Sequence, residues 1–274
     1  MNPAQQQAYL SLLELERKSL PTTDYLRELI RAHLSRVPFE NASKIHYYRT
    51  RGREGLRWLP DLETYLRNMA ERGFGGNCYI LNACFGELLR SLGYRVELVR
   101  ATGGNTHLGL RVEAEGRLYY VDVGYGAPLF DPLPLEEEPR FARCGEEVEI
   151  RRVAEGHYRI DRRANGQSFV TKYIEWSPVP LESFGEAIAH SLRDEDENPF
   201  MRRIVATLFR KETAYSVVNH KLFVKRGNET EVHEFTSKRE WLSMMNRTFR
   251  LDEAVLEEAL AFLSERGVHL FPSS

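Results

Sequence analysis

Apolar residues recur at helical spacing through the first 93 positions. Segment 2–20 carries Pro3 at an early helical position and apolar Tyr9, Leu10, Leu13 and Leu20. Segment 22–37 opens on a threonine cap and sets Leu26, Leu29, Ile30, His33 and Leu34 on one face. A third helix, 61–72, starts after Pro60. A fourth begins at or near Cys78 and runs through Leu92, with Gly93 as its stop. It is apolar around most of its circumference (Ile80, Leu81, Cys84, Phe85, Leu88, Leu89), the pattern of a buried helix.

From Tyr94 to Trp176 the period changes to two. Segment 107–126 reads as a hairpin with Glu115-Gly116 at its tip. Segment 146–176, with turn signals at Glu155-Gly156 and Asn165-Gly166, reads as a three-strand meander. Strands at this spacing point to a barrel or sandwich. Beyond lie a helical stretch at 181–194, a loop at 195–200 and short strands from about Ile204 to Phe235. A helix opened by a Ser237–Glu240 capping box follows, then a closing helix capped by Asp252 and stopped by Gly267. The expected fold class is α+β in three parts: a helical bundle over 1–93, a central β-barrel domain over 94–195 and an α/β lid over 196–274.

Composition narrows the function. The net charge of −2, with both signs interspersed, does not call for nucleic acid or an anionic membrane surface. No apolar run approaches the roughly 18 residues of a membrane span, and the N-terminal segment lacks the pattern of a signal peptide, so a cytoplasmic protein is expected. Three cysteines at irregular spacing argue against a disulfide framework. Cys78 and Cys84 do not have zinc spacing, and no metal is expected.

The segment RGFGGNCYILN, 72–82, is the exception to this ordinary picture. Asn77 is a good cap, which makes Cys78 the first helical residue, beside free backbone N–H groups and the positive end of the helix dipole. That setting favours a charged sulfur nucleophile, and the same N–H groups could hold an oxyanion. Gly75 and Gly76 would let a substrate carbonyl approach. On cysteine burial statistics alone, a structural thiol behind a glycine turn is the commoner reading, and Cys84 and Cys144 fit it. A thiol nucleophile needs a base, and the base an orienter. A two-residue tip at Glu115-Gly116 sets His107 opposite Gly124 and Gly109 opposite Asp122, so His107 and Asp122 are diagonal neighbours on one face. A three-residue tip would put them on opposite faces. An aspartate within YYVDVGYG also needs a partner, because an unpaired buried carboxylate is costly.

Cys78 behind Gly-Gly, His107 in THLGLRV, Asp122 in VDVGYG and PFEN at Pro38–Asn41 together resemble the arylamine N-acetyltransferases, over most of the chain. The resemblance implies a core like that of papain-type proteases and transglutaminases. It also implies ping-pong acyl transfer from acetyl-CoA, through an acetyl-Cys78 thioester, to an arylamine or arylhydrazine. By position, Gly103 and Gly104 would contact CoA, and Phe39, Thr106 and Tyr125 would line the acceptor pocket. Asn82 matches the family's Asn. Phe74 stands where the family usually has Arg, and Ile80 where it usually has Glu or Gln. Arg72 is the expected replacement partner of Glu40. The alternatives are a cysteine hydrolase or amide-forming enzyme with the same triad, and a binding module that has lost catalysis.

Overall fold

The structure is a computed structural model that describes residues 1–52 and 54–272; position 53 of the expected bundle and 273–274 of the expected lid lie outside it. Helix α1 covers Pro3–Leu12 behind an Asn2–Gln5 capping box. It is shorter than the expected 2–20, because Glu14 turns left-handed (φ 54°) and takes the chain off the helix axis. Helix α2, Thr23–Arg36, starts at its Thr22 cap and buries Leu26, Leu29, Ile30, His33 and Leu34. A two-residue strand, β1 (Phe39–Glu40), and helix α3 (Ala42–Thr50) follow. Neither carries a signal in the sequence: β1 is too short for a period, and six of the nine α3 residues are buried, so no polar face marks it. Helix α4, Leu62–Arg72, is capped by Asp61 and ends at left-handed Gly73. Helix α5, Cys78–Ser91, is capped by Asn77 and buried along most of its length.

The next strands are β2 (Arg95–Thr102), β3 (His107–Ala114), β4 (Arg117–Val121), β5 (Arg140–Arg143), β6 (Glu146–Ala154), β7 (His157–Ala164) and β8 (Gln167–Val179). They form one antiparallel sheet in the order β4-β3-β2-β8-β7-β6-β5. The expected barrel is therefore open. Strands β4 and β5 remain its two edges, and the sheet curls into a half-barrel. The β3–β4 register keeps the two-residue tip: Leu110 pairs with Val121 and Ala114 with Arg117. Glu115 and Gly116 both take positive φ, as that turn requires.

Helix α6 spans Gly185–Ser191. Strands β9 (Val205–Arg210), β10 (Thr213–Val218), β11 (Lys221–Arg226) and β12 (Glu229–Glu234) form a second antiparallel sheet, and β1 joins its β9 edge. Helices α7 (Lys238–Phe249) and α8 (Glu253–Ser264) close the chain. One apolar core runs from Tyr9 and Leu10 of α1 through α5 and β3 to Phe262 of α8, so α5 is enclosed from both ends of the chain.

Candidate active site

Cys78 is the first residue of α5 and is mostly buried. The Asn77 carboxamide oxygen accepts from the N–H groups of Tyr79 (3.1 Å) and Ile80 (3.3 Å), so the cap itself uses two of the donors expected to be free. The glycines before it have another use as well. A Cβ on Gly75 would stand 1.7 Å from the carbonyl oxygen of Pro38, and Glu40 N–H donates to the Gly76 carbonyl at 3.0 Å. Gly75 is thus bare because the Pro38 backbone, just before β1, lies against it, not to admit a substrate carbonyl. On the other side, a Cβ on Gly124 would come within 2.6 Å of the Cys78 Cα. The Cys78 backbone is thus packed against the segment after β4, and the loop before it against the residues at β1.

Asp122 follows directly on β4 and His107 opens β3, and the register brings them together: Nε2 of His107 lies 2.6 Å from Oδ2 of Asp122. Both are buried. Three further groups hold the carboxylate. Tyr120 Oη donates to Oδ2 (2.7 Å), and Asn82 Nδ2 (2.8 Å) and Gly124 N–H (3.0 Å) donate to Oδ1. Burial pushes the Asp122 carboxyl up, but the His107 charge and these hydrogen bonds outweigh it and leave it below its ordinary value. Burial pulls His107 down, and the charges of Asp122 and Cys78, with hydrogen bonds to both, raise it above its ordinary value. With Nε2 taken by Asp122, the other ring nitrogen is the one left for the thiol. Asn82 also donates to the Leu108 carbonyl (2.6 Å) and accepts from Val123 N–H (2.9 Å), so it ties α5 to both strands of the hairpin. Tyr120, two residues before Asp122 and so on its face of the strand, could have been found by the same alternation that found the pair.

The remaining expected residues surround this group. Tyr125 lies with its ring 5.1 Å from that of His107, and Phe39 packs 3.4 Å from where a Gly126 Cβ would stand. The Thr106 carbonyl accepts from Tyr79 Oη at 2.8 Å. Gly103 and Gly104 are exposed, in the loop before His107. Lys172 of β8 fastens that loop from beneath, with Nζ 2.6 Å from the carbonyl oxygens of both Gly103 and Asn105. Arg162 of β7 does the same for 122–126: it donates to the carbonyls of Tyr125 (3.2 Å) and Gly126 (2.9 Å) while paired with Glu146 at 2.7 Å. Nothing in the sequence flagged Lys172 or Arg162, since both act across the curled sheet. A cavity of about 710 Å³ opens on the other side of α5, lined by Ile80, Ala83 and Cys84 rather than by Cys78.

The expected Arg72–Glu40 pair is absent. Glu40 is fully buried and accepts from Ser43 N–H (2.9 Å) and Gly75 N–H (3.2 Å). Its carboxyl precedes the first turn of α3, where N–H groups and the helix dipole substitute for a cation. Burial raises it above its ordinary value, and among the described residues no cation pairs with it. Arg72 instead donates to His46 Nε2 (3.3 Å) and lies over the Phe74 ring. His46 is half-buried against Glu258 of α8 at 2.7 Å. Cys84 and Cys144 are both buried; burial pushes the Cys84 thiol far up and Cys144 to about 11. Among the described residues no three carboxylate, thiol or imidazole groups converge as metal ligands.

Residues 22–256 match the N-acetyltransferase family model. The chain belongs to the arylamine N-acetyltransferase family. It is 25% identical to the arylamine N-acetyltransferase of Mycolicibacterium smegmatis over 89% of this chain and 90% of that one. It is also 25% identical to the proansamycin X synthase of Amycolatopsis mediterranei, over 92% of this chain and 99% of that one. The fold is shared with the Mycobacterium marinum arylamine N-acetyltransferase solved in complex with CoA, at a TM-score of 0.81, 20% identity and coverage of 96% and 99%.

Proposed function

We propose that the protein transfers an acetyl group from acetyl-CoA to an arylamine or arylhydrazine nitrogen by a ping-pong mechanism, with Cys78, His107 and Asp122 as the catalytic triad. The observation that carries this reading is the buried His107–Asp122 hydrogen bond beside a cysteine at a helix N-terminus. Papain-like cysteine enzymes rest on the same division, with the thiol on a helix and the base and its orienter on a sheet. The relatives named for arylamine acetylation and the CoA complex of a protein of this fold support the donor and the acceptor.

His107 takes the Cys78 proton, and Asp122 and Cys78, which raise the imidazole above its ordinary value, favour its charged form. The sulfur attacks the acetyl carbonyl carbon of acetyl-CoA. The carbon–sulfur bond to CoA breaks, and the leaving thiolate takes the His107 proton. The amine nitrogen then attacks the acetyl-Cys78 carbonyl, His107 accepts a proton from that nitrogen, and the amide leaves with the Cys78 thiolate restored. Asp122 fixes the imidazole orientation and stabilises its charged form. With Tyr79 and Ile80 N–H committed to Asn77, the Cys78 N–H is the donor offered to the oxyanion. The loop of Gly103 and Gly104, pinned by Lys172, is where CoA would pass, and Phe39, Thr106 and Tyr125 face the acceptor.

Incubation with acetyl-CoA, followed by intact mass and peptide mapping, tests the reading. A single acetyl group on Cys78, discharged on adding an arylamine, is the expected result. His107→Ala should slow its formation by about 10²–10⁴-fold. Acetylation spread over all three cysteines, or none at all, would sink the proposal.

A further inference from the structure

Three ions join the two sheets behind Tyr125. Glu146, which opens β6, is 6% exposed and meets a cation on each side. Its Oε2 lies 2.7 Å from Nη2 of Arg162 in β7, and its Oε1 lies 3.2 Å from Nζ of Lys225 in β11. Arg162 belongs to the first sheet and Lys225 to the second, so the pairing crosses between them. The turns beside it are in contact. A Cβ on left-handed Gly145 would stand 2.8 Å from the Gly227 carbonyl oxygen and 3.6 Å from the Lys225 Cβ. Phe169 of β8 is 48% exposed, and its ring lies over both cations, 5.0 Å from the Arg162 guanidinium and 5.9 Å from Lys225 Nζ. An aromatic face turned to two cations accounts for a phenylalanine left at the surface.

Arg162 carries this link into the site. Nη1 donates to the Tyr125 carbonyl at 3.2 Å and Nη2 to the Gly126 carbonyl at 2.9 Å, and the guanidinium lies 5.1 Å from the Tyr125 ring centre. That ring in turn stands 5.1 Å from the imidazole of His107. A buried guanidinium has to stay with its carboxylate, because an uncompensated charge there is costly. Glu146 divides its two oxygens between the cations, so the place of Lys225 sets where the carboxylate, and then Arg162, can lie. Asp122, three residues before Tyr125, is anchored separately by His107, Tyr120, Asn82 and Gly124. The link therefore reaches Tyr125 and Gly126 without passing through the carboxylate that orients the base.

We propose that Glu146 is a positioning residue for the acceptor half of the reaction: it carries the docking of the second sheet, through Lys225 and Arg162, to Tyr125. The inference rests on the acyl-transfer reading above and adds to it a control of one half-reaction by the C-terminal sheet. In a ping-pong scheme kcat/KM for the acceptor reports only the step that discharges acetyl-Cys78, and kcat/KM for the donor only the step that forms it. The test uses 4-nitrophenyl acetate as donor, which lacks the CoA moiety, and aniline as acceptor.

Lys225→Met should lower kcat/KM for aniline by roughly 5-fold or more, the lower end for coupling between distant sites, chiefly through KM. It should leave kcat/KM for 4-nitrophenyl acetate unchanged, and Lys225→Arg should restore the aniline value. Glu146→Gln should lower the aniline value at least as far as Lys225→Met does. In a Tyr125→Ala or Glu146→Gln background, Lys225→Met should have no further effect, a result that general loosening of the fold would not give. If Lys225→Met does not fold by circular dichroism, Lys225→Gln supplies the comparison. An equal fall in both half-reactions overturns the inference, as does an effect of Lys225→Met that is the same with and without the Tyr125 ring. Acetyl-Cys78 that forms and discharges to aniline in Lys225→Met as in wild type defeats this inference alone. No adduct in the wild type from either 4-nitrophenyl acetate or acetyl-CoA defeats the acyl-transfer reading, and this one with it.

Discussion

At the scale of single residues, the site is a balance of burial against pairing, and pH should expose it. His107 is raised above its unfolded value of 6.5, so its contribution to stability is complete below pH 6.5 and is lost as pH climbs through the raised value. Asp122 is lowered from 3.8, so its contribution is complete above pH 3.8 and is lost as pH falls through the lowered value. Between those limits both act in full. The margin in unfolding free energy of wild type over His107→Gln should therefore be widest near pH 5–6. It should shrink above pH 6.5 by at most about 1.4 kcal/mol per pH unit. Denaturant titrations from pH 5 to 10 would show it, and a margin constant to pH 9 would contradict the pairing. The pair was legible in the sequence because it depends on a hairpin register, which Glu115-Gly116 fixes locally. The partner of Glu40 was not. Its ligands are main-chain N–H groups, which every residue offers and no residue type announces.

At the scale of elements, caps and alternation gave α2, α4, α5 and the β3–β4 hairpin close to their observed ends. Helix α3 and strand β1 were hidden, because their residues are chosen by contacts with β9 and α8 rather than by a local period. The seam between β1 and the loop before α5 is the least tolerant of these contacts. Gly75→Ala places a methyl group 1.7 Å from the Pro38 oxygen, where backbone and not a flexible side chain must give way. It should cost about 1–3 kcal/mol of stability, the usual range for overpacking. It should also slow acylation of Cys78 more than it slows chemical labelling of unfolded protein. Unchanged denaturation midpoint and acylation rate would show that the seam can open freely.

At the scale of the whole molecule, the order of helices, then strands, then mixed elements was readable, but the way the last third closes on the first was not. Strand β1 pairs with β9, and the Asn41 side chain donates to the carbonyls of Phe200 (2.9 Å) and Arg203 (2.7 Å) and accepts from Val205 N–H (2.8 Å). These contacts span more than half the chain, and they sit one residue from the β1 segment that packs on the loop before Cys78. The consequence concerns the order of folding. Contacts between distant residues form late, after the local helices and hairpins, because chain entropy opposes them until the rest is in place. A newly made or refolding chain should thus acquire most of its helix and sheet before its thiol becomes competent. In stopped-flow refolding, recovery of Cys78 acylation should follow the slowest phase and lag behind far-ultraviolet circular dichroism, whereas Asn41→Ala should lengthen that lag. Acylation that returns with the first burst of secondary structure would mean that the nucleophile matures without the C-terminal third. On that expectation the seam acts as a timer: it withholds chemistry until the C-terminal third has docked.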